Sequence, residues 1–162
     1  AINSKLNRRA VLLTGEILEP RPAYAAADIV VGMGGSALRG MAFAKPVVVV
    51  GSDGFSSTFS PETSQFFLHH GLHGIGEGKA DNANLIGSLR QLATNSALRS
   101  ELGQHSRNFV TEHFSIEATS EQLNGYCLEA AAAGVKSLEA VSDGFRTATF
   151  LATRRQTWAR FF

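Results

Sequence analysis

Apolar residues form short unbroken runs in the early part of the chain and recur at helical spacing later. Three runs predict buried strands: Ala10 to Leu13, Asp28 to Val31 and Val47 to Val50. Each run is apolar on both faces, which is typical of parallel strands covered by helices on both sides. The four valines give the strongest of these predictions. A weaker fourth strand is predicted within residues 71–78.

Helical spacing follows between and after these runs. The segment from Ser36 to Phe43 predicts a helix that Pro46 must end, because proline cannot continue the hydrogen-bond ladder. Three longer helices are expected in the second half of the chain. Their predicted starting residues are Asp81 or Asn82, Ser96 and Ser115. Between the two groups, residues 61–78 are rich in glycine and histidine and predict a loop-rich segment.

These elements predict an α/β protein with an open, mostly parallel, Rossmann-like sheet and helices on both faces. A helical C-terminal tail is expected to follow the sheet. We place the α/β part at residues 1–127 and the tail at residues 128–162. Cys127 occupies an apolar helix position and is predicted to be a small buried side chain.

Charge and cysteine content narrow the function classes. Fifteen basic residues against fourteen acidic ones leave a net charge of +1, which gives no reason to expect nucleic-acid binding. A single cysteine allows no intrachain disulfide and suits a reducing compartment, so we expect a cytoplasmic protein. Basic and aromatic residues alternate in segment 144–162. This segment either packs on another domain, which we favour, or makes a peripheral membrane contact.

A glycine-rich turn, "GMGGS" at residues 32–36, follows the second predicted strand. Ligands of open parallel sheets bind at the carboxyl ends of the strands, where glycines allow close approach of a diphosphate. The same glycines also serve tight turns in proteins that bind nothing. Both interpretations stay open on this turn alone.

The histidines of "FFLHHGLHG" are a second candidate for chemistry. His69, His70 and His73 have side chains that bind metals. Gly71 and Gly74 oppose a rigid helix there, and no acidic third ligand is close in sequence. Surface or loop-packing histidines are therefore the favoured interpretation, and neither a metal nor a cofactor is predicted.

Two longer stretches carry a resemblance to a known family. They are "YAAADIVVGMGGSALRGMAFAKPVVVVG" and "DNANLIGSLRQLATNSALRSELGQHSRNFVTEHFS". Together they resemble the C-terminal, nucleotide-sugar-binding domain of GT-B glycosyltransferases, above all the family-4 type, over about residues 10–126. The positions that match the family pattern are Tyr24, Ala27, Asp28, Met41, Ala42, Pro46, Val47, Val48, Leu102, Gly103, Arg107, Val110, Phe114 and Ser115.

The resemblance implies a transferase that passes a sugar from a UDP- or GDP-sugar to an acceptor hydroxyl. It would put two residues beside the base, Glu16 and Ile17. It would put the turn residues Gly34, Gly35 and Ser36 beside the diphosphate. The turn after the valine strand would line the donor pocket with Gly54 and Phe55, with Glu62 near it.

Arg39 departs from the family pattern. Family members carry a ribose-binding glutamate at this position, and a guanidinium cannot accept hydrogen bonds from ribose hydroxyls, although it can pair with phosphate. We therefore expect Arg39 to bind phosphate, and no catalytic residue is assigned. The alternative is a non-catalytic remnant or protein-interaction module of the same fold.

Parts of the family's architecture have no counterpart in this sequence. The resemblance implies that activity needs the N-terminal domain, or a partner chain, and that the first two strand–helix units of the C-terminal domain are absent. In the family's strand order those units would lie between the first two predicted strands. We therefore expect Ala10 to Leu13 not to pair with Asp28 to Val31 within one chain.

Overall fold

The chain divides into two units, which we describe separately. A computed structural model describes residues 2–78, 82–134 and 141–150. The first unit, Ala1–Ser115, contains every strand of the described residues. The second unit, Ile116–Phe162, is helical over Ile116–Ala133 and over residues 141–150.

A mixed sheet of three strands lies at the centre of the first unit. The strands are β1 (Val30–Gly32), β2 (Val47–Val50) and β3 (Ser56–Thr58). β1 runs parallel to β2, whereas β3 runs antiparallel to it, so β2 is the central strand. The protein is therefore of the α/β class.

Helices precede, connect and follow the strands. They are α1 (Ile2–Lys5), α2 (Arg21–Ala26), α3 (Gly34–Ala42), α4 (Pro61–His70), α5 (Ala83–Thr94), α6 (Ser96–Phe114) and α7 (Ile116–Ala133). Helix α3 connects the parallel strands and packs closely on β1. A Cβ atom on Gly40 would lie only 2.9 Å from Cγ1 of Val30, so glycine is needed at this contact.

Strand β2 is buried on both faces, as its valine run predicts. Alternate side chains of a strand point to opposite faces of the sheet. Val47 and Val49 belong to one apolar cluster and Val48 to another, and all three are 0% exposed. The prediction of a strand covered on both sides is confirmed for β2.

Helix α6 contributes to both apolar clusters. Its Leu102 packs with Val48 and Leu92, whereas its Phe109 packs on the opposite cluster, with ring centroids 4.8 Å from Phe59. The same helix is tied to the end of α3, because the guanidinium of Arg107 donates to the carbonyl oxygen of Ala42. One helix therefore supports both sides of the sheet.

The first predicted strand is wrong. Residues 10–13 form neither helix nor strand, and all four are exposed. An apolar run becomes a strand only where a neighbouring strand satisfies its backbone, and no strand of the described residues pairs with this one. The run also does not pair with β1, in agreement with the expectation that the two would stay apart.

The sheet differs from the prediction in two further ways. It is mixed rather than mostly parallel, because β3, which the sequence pattern did not predict, pairs antiparallel with β2. The weak fourth strand within residues 71–78 is reduced to one isolated parallel bridge between Ser52 and Ile75.

The predicted loop at residues 61–78 is wrong in its first part, which is α4. Pro61 occupies the first turn, where its missing N–H costs nothing. The backbone N–H of Ser60 donates to Oγ1 of Thr63 at 2.9 Å, which closes the start of the helix. These capping interactions outweigh the glycine and histidine content of the following residues.

Smaller differences concern where elements begin. β1 starts at Val30, two residues after the predicted start. Asn95, rather than Ser96, caps α6, because its side-chain oxygen accepts from the N–H of Leu98 at 3.0 Å. Asn82 precedes α5 as expected, although its side chain makes no capping hydrogen bond, and Asp81 lies outside the described residues.

The second unit has no buried residue in α7. Cys127 is exposed, which corrects the prediction that it is buried, because no other apolar element covers that face of the helix within the described residues of this unit. The predicted division after residue 127 falls inside α7. Segment 151–162 of the predicted tail lies outside the described residues. Across the described residues, no helix combines the length and apolarity needed to cross a bilayer.

Candidate functional site

The turn between β2 and β3 is a tight hairpin at the carboxyl end of β2. Asp53 and Gly54 both have left-handed backbones, with φ of 51° and 76°. The N–H of Phe55 donates to the carbonyl oxygen of Ser52 at 3.0 Å. These values fit a type I′ turn, for which Asp-Gly is a preferred pair. The turn places Asp53 at the edge of the sheet and leads into β3.

Residues 74–78 lie along this turn and are hydrogen-bonded to it. Ser52 donates its N–H to the carbonyl of Gly74 at 3.1 Å and accepts from Gly76 at 3.0 Å. Gly78 donates to the carbonyl of Asp53 at 3.0 Å. We call this pair of segments, residues 51–55 and 74–78, the clasp.

Glycines are required inside the clasp. A Cβ atom on Gly51 would lie 2.0 Å from the carbonyl oxygen of Gly74, and one on Gly74 would lie 2.4 Å from the Phe55 ring. Both distances are far below van der Waals contact. The two segments can therefore approach this closely only because side chains are absent.

A pocket of about 520 Å³ opens beside the clasp, and we call it the β2 pocket. Its lining combines the hairpin turn, residues 75–77 and the start of α5. Its polar and aromatic side chains belong to Asp53, Phe55, Ser56, Glu77, Asn82 and Asn84. Its volume lies within the range of about 300–1,000 Å³ that is usual for small-molecule sites.

Hydrogen-bonding side chains of three types line the β2 pocket. Asp53 and Glu77 bring carboxylates, which accept hydrogen bonds from hydroxyl groups. Asn82 and Asn84 bring amides, and Ser56 brings a hydroxyl, and these groups both donate and accept. Phe55 supplies an apolar surface. Among the described residues of the lining, none is a lysine or arginine, and the polar ones suit the hydroxyl groups of a ligand.

The glycine-rich turn after β1 uses most of its hydrogen-bonding groups internally. Gly34 donates its N–H to the carbonyl of Leu72 at 2.8 Å. The Ser36 hydroxyl accepts from the N–H of Met33 at 3.0 Å and donates to the carbonyl of Met33 at 2.7 Å. Within the described residues, only the Gly35 N–H of residues 33–36 has no acceptor. A phosphate at this turn would therefore meet one free N–H rather than several.

The two turns meet at one edge of the sheet. β1 and β2 are parallel, so their carboxyl ends lie on the same side. The segment at residues 72–74 bonds to both turns, through Leu72 to Gly34 and through Gly74 to Ser52. The structure thus brings Gly34, Gly35 and Ser36 to the same edge as Gly54 and Phe55.

The other predicted site residues do not line the β2 pocket. Arg39 is exposed on α3, and Glu16 and Ile17 are exposed in the connection before α2. Glu62 lies in the first turn of α4 and borders a different cavity, of about 280 Å³, together with Glu101. Of the nine predicted site residues, only Gly54 and Phe55 belong to the β2 pocket.

Glu62 has a specific hydrogen bond of its own. The Ser60 hydroxyl donates to its Oε2 atom at 2.5 Å. This hydrogen bond is the main reason that the pKa of Glu62 lies below the usual value for glutamate, because it favours the charged form.

Ser64 and His105 form a buried contact between α4 and α6, with 2.8 Å between Oγ and Nε2. The Ser64 hydroxyl also donates to the carbonyl of Ser60 at 2.8 Å. The contact joins two helices.

The histidine-rich segment gives no metal centre within the described residues. There, no three His, Cys, Asp or Glu side chains come close enough together to hold a metal ion. His70 instead stacks on Phe66, with ring centroids 4.5 Å apart, and its Nδ1 atom lies 3.0 Å from the Phe66 carbonyl oxygen.

Sequence reasoning missed five polar residues of the β2 pocket: Asp53, Ser56, Glu77, Asn82 and Asn84. One local signal was present for the first of them. An Asp-Gly pair directly after a strong strand predicts a hairpin, and a hairpin places its turn residues at the edge of the sheet. No such signal marks Glu77, whose position depends on the clasp.

The chain was compared with known proteins in three ways. No protein-family model matches it, and no curated protein or solved structure is similar enough to assign a relative. Function must therefore be argued from the site itself.

Proposed function

We propose that the first unit binds a nucleotide-diphosphate sugar as the donor-binding part of a GT-B glycosyltransferase. The sugar would pass to an acceptor hydroxyl supplied by a further domain or a partner chain. In this proposal the sheet is the carboxyl half of a Rossmann-like domain, and the donor is a UDP- or GDP-sugar. We expect the reaction to occur in the cytoplasm, as the single cysteine suggests.

The observation that carries the proposal is the β2 pocket. Gly54 and Phe55, which the family resemblance assigns to the donor pocket, line a cavity of about 520 Å³. Its carboxylates and amides suit the hydroxyl groups of a sugar or a ribose. Phe55 also lines the cavity, and its ring packs on Gly74 and on Phe66.

We assign the diphosphate to the turn after β1, because none of the described residues that line the pocket is a lysine or arginine. Gly35 has a free N–H at the start of α3, where the helix dipole favours an anion. Arg39 lies about 6 Å further along the helix axis, and helical side chains lean back toward the helix start. In the proposal these two groups offset the charge that develops on the leaving diphosphate.

One observation favours the alternative function, a non-catalytic interaction module. The N–H groups of Gly34 and Ser36 already have acceptors in Leu72 and Met33. A phosphate would have to displace those bonds or depend on Gly35 and Arg39 alone. The binding experiment separates the two functions.

Calorimetric titration with UDP, GDP, UDP-sugars and GDP-sugars tests the proposal. We expect micromolar binding of at least one nucleotide sugar. Asp53→Asn should weaken it about tenfold, or about 1.4 kcal/mol, since the amide still tolerates the left-handed backbone but accepts fewer hydrogen bonds. Arg39→Ala should weaken the free nucleoside diphosphate and the nucleotide sugar alike.

Glu112→Gln is the matched control for Asp53→Asn. The Glu112 side chain is 73% exposed and lies outside the pocket lining, so its loss of charge should leave the affinity unchanged. If no nucleotide or nucleotide sugar binds, the donor-binding function is rejected and the interaction module remains.

A further inference from the structure

Residues 5–13, Lys-Leu-Asn-Arg-Arg-Ala-Val-Leu-Leu, lie on the surface of the first unit, and we call them the basic-leucine segment. Every residue of the segment is exposed, and so are its neighbours, from Ser4 to Glu19. The segment belongs neither to the sheet nor to the lining of the β2 pocket. Within the described residues, no other part of the fold therefore covers it.

The first half of the segment is positively charged. Lys5, Arg8 and Arg9 bring three cations, and the sequence has no acidic residue before Glu16. In the described part of the chain, none of the three cations forms an ion pair or donates a side-chain hydrogen bond. An anionic partner can therefore meet all three without breaking an existing contact.

The second half of the segment is apolar and lies in solvent. Val11 is 40% exposed, Leu12 is 62% exposed and Leu13 is 89% exposed. Exposed aliphatic side chains are unfavourable in water, whereas the boundary between the headgroups and acyl chains of a bilayer accepts them. The segment therefore combines the two groups that hold peripheral proteins on anionic membranes, namely cations and aliphatic side chains that can enter the interface.

Asn3 holds the two halves of the segment close together. Its side-chain amide donates to the carbonyl of Val11 at 2.7 Å and accepts from the N–H groups of Ala10 and Val11, at 2.9 and 2.7 Å. These hydrogen bonds close the chain into a loop that carries the three cations. Arg9 precedes Leu12 by three residues, which span at most about 11 Å. A leucine that enters the lipid surface therefore keeps Arg9 near the headgroups.

We propose that the basic-leucine segment binds the surface of a bilayer that contains anionic lipids. The three cations lie among the phosphate-bearing headgroups, and Leu12 and Leu13 enter the interface beside them. Each basic residue near such a surface adds electrostatic attraction, and each leucine adds the free energy of transfer from water. The inference does not depend on the proposed donor site.

The composition of the segment favours lipid over nucleic acid or protein as the partner. Proteins that bind single-stranded nucleic acid combine cations with aromatic rings on which the bases stack. The cores of protein interfaces are also enriched in aromatic residues, and lysine is depleted there. Residues 5–13 contain no aromatic residue, and their apolar side chains are all aliphatic. Aliphatic side chains beside basic ones are the combination that an anionic lipid surface binds.

Co-sedimentation of the full chain with vesicles tests the proposal. We expect binding to vesicles of phosphatidylglycerol and phosphatidylcholine, much less binding to phosphatidylcholine alone, and weaker binding as salt screens the cations. Arg8→Gln with Arg9→Gln should lower the partition constant about thirtyfold. Arg90→Gln with Arg146→Gln is the matched control, because it removes the same charge from two other exposed arginines and should leave the partition constant nearly unchanged.

A pair of leucine variants tests the apolar contact. Leu12→Gln should lower the partition constant at least about tenfold, since a leucine in the interface is transferred out of water. Leu123→Gln is the matched control, because Leu123 on α7 is 63% exposed and Leu12 is 62% exposed. Both variants should keep the thermal midpoint of the unchanged chain, because neither side chain is buried.

Tryptophan fluorescence tests which residues enter the lipid. Trp158 is the single tryptophan of the sequence, so Trp158→Phe gives a background without one. In that background, the emission of Leu13→Trp should shift to shorter wavelength when anionic vesicles are added. The emission of Leu123→Trp should not shift.

The same experiments define the results that would overturn the proposal. Equal binding to anionic and neutral vesicles, or binding to neither, removes an anionic lipid surface as the partner. Binding that is indifferent to Leu12→Gln, or that is lost in the Arg90 and Arg146 pair instead, assigns the contact to another part of the chain. Binding of a single-stranded RNA but of no vesicle, lost in the Arg8 and Arg9 pair, would assign the cations to nucleic acid.

Discussion

The two turns at the carboxyl edge of the sheet use glycine in different ways. In the turn after β1, Gly34 has a left-handed backbone with φ of 51°, and its surroundings are open. In the turn after β2, Gly51 is enclosed, because a Cβ atom there would lie 2.0 Å from the carbonyl oxygen of Gly74. Gly34 is needed for a backbone shape, whereas Gly51 is needed for empty space.

This difference shows why a glycine motif is a poor guide to a site. The motif that resembles a phosphate-binding loop bonds mainly to itself and to Leu72. The turn that carries no known motif is held by the clasp and opens onto a pocket. Space for a ligand arises where a rigid backbone contact holds two segments at a fixed separation.

Gly51→Ala should have the largest effect on stability. The added Cβ would meet backbone atoms of Gly74, which cannot rotate away as a side chain can. We expect a loss of about 3 kcal/mol in the free energy of unfolding, at the upper end of overpacking costs. Urea denaturation followed by circular dichroism measures it.

Gly87→Ala is the control for that experiment. Gly87 lies within α5 with nothing near its added Cβ, so alanine should stabilise the helix by up to about 1 kcal/mol. An unfolding free energy for Gly51→Ala within error of the unchanged protein would show that the clasp is not tight.

Gly34→Ala and Gly35→Ala should separate backbone shape from space in the other turn. Gly34→Ala should cost about 1–2 kcal/mol, because the left-handed conformation is unfavourable for a residue with a Cβ. Gly35 has an ordinary φ and open surroundings, so Gly35→Ala should be neutral or slightly stabilising. Thermal unfolding of both variants measures the difference in stability between them. Equal midpoints would show that the left-handed backbone of Gly34 is not what this turn requires.

Ser60→Ala, which acts on Glu62 outside both turns, should have the smallest effect on stability. Ser60→Ala removes the hydrogen bond that lowers the Glu62 pKa, so this pKa should rise toward its usual value. A lowered carboxyl pKa contributes stability above the unfolded-state pKa, and this contribution is lost as pH falls through the folded-state pKa. The variant should therefore lose less stability on acidification. Carbon-13 NMR titration of the carboxyl group measures the shift, and an unchanged pKa would contradict the assignment.

The spacing of apolar residues predicted two kinds of element correctly: helices, whose hydrogen bonds are local, and the strand β2, which is buried on both faces. Four consecutive valines predicted β2 because only a strand covered on both faces tolerates them. Residues 10–13 have a similar composition, yet they form no strand. A strand also needs a neighbouring strand to pair with, and the local sequence does not specify one. α4 was missed because glycine and histidine content was weighed above the Ser60-Pro61 start signal.

The site was predictable only where local geometry decides it. The resemblance placed Gly54 and Phe55 at a donor pocket, and both line the β2 pocket. Glu77 reaches that pocket through hydrogen bonds between segments about twenty residues apart along the chain. Backbone hydrogen bonds between distant segments produce no recognisable spacing of residues in the sequence. The sequence therefore does not indicate that Glu77 lines the pocket.

The clasp also offers a way to recognise distant relatives. Gly51, Gly74 and Gly76 each face an atom that a Cβ would strike, so a change at one position would have to be matched by a retreat of the opposite segment. Descendants of a common ancestor that kept this pocket should therefore retain the three glycines as a set, even after the valines of β2 have been exchanged for other aliphatic residues. Their joint loss would mark lineages in which the pocket has closed.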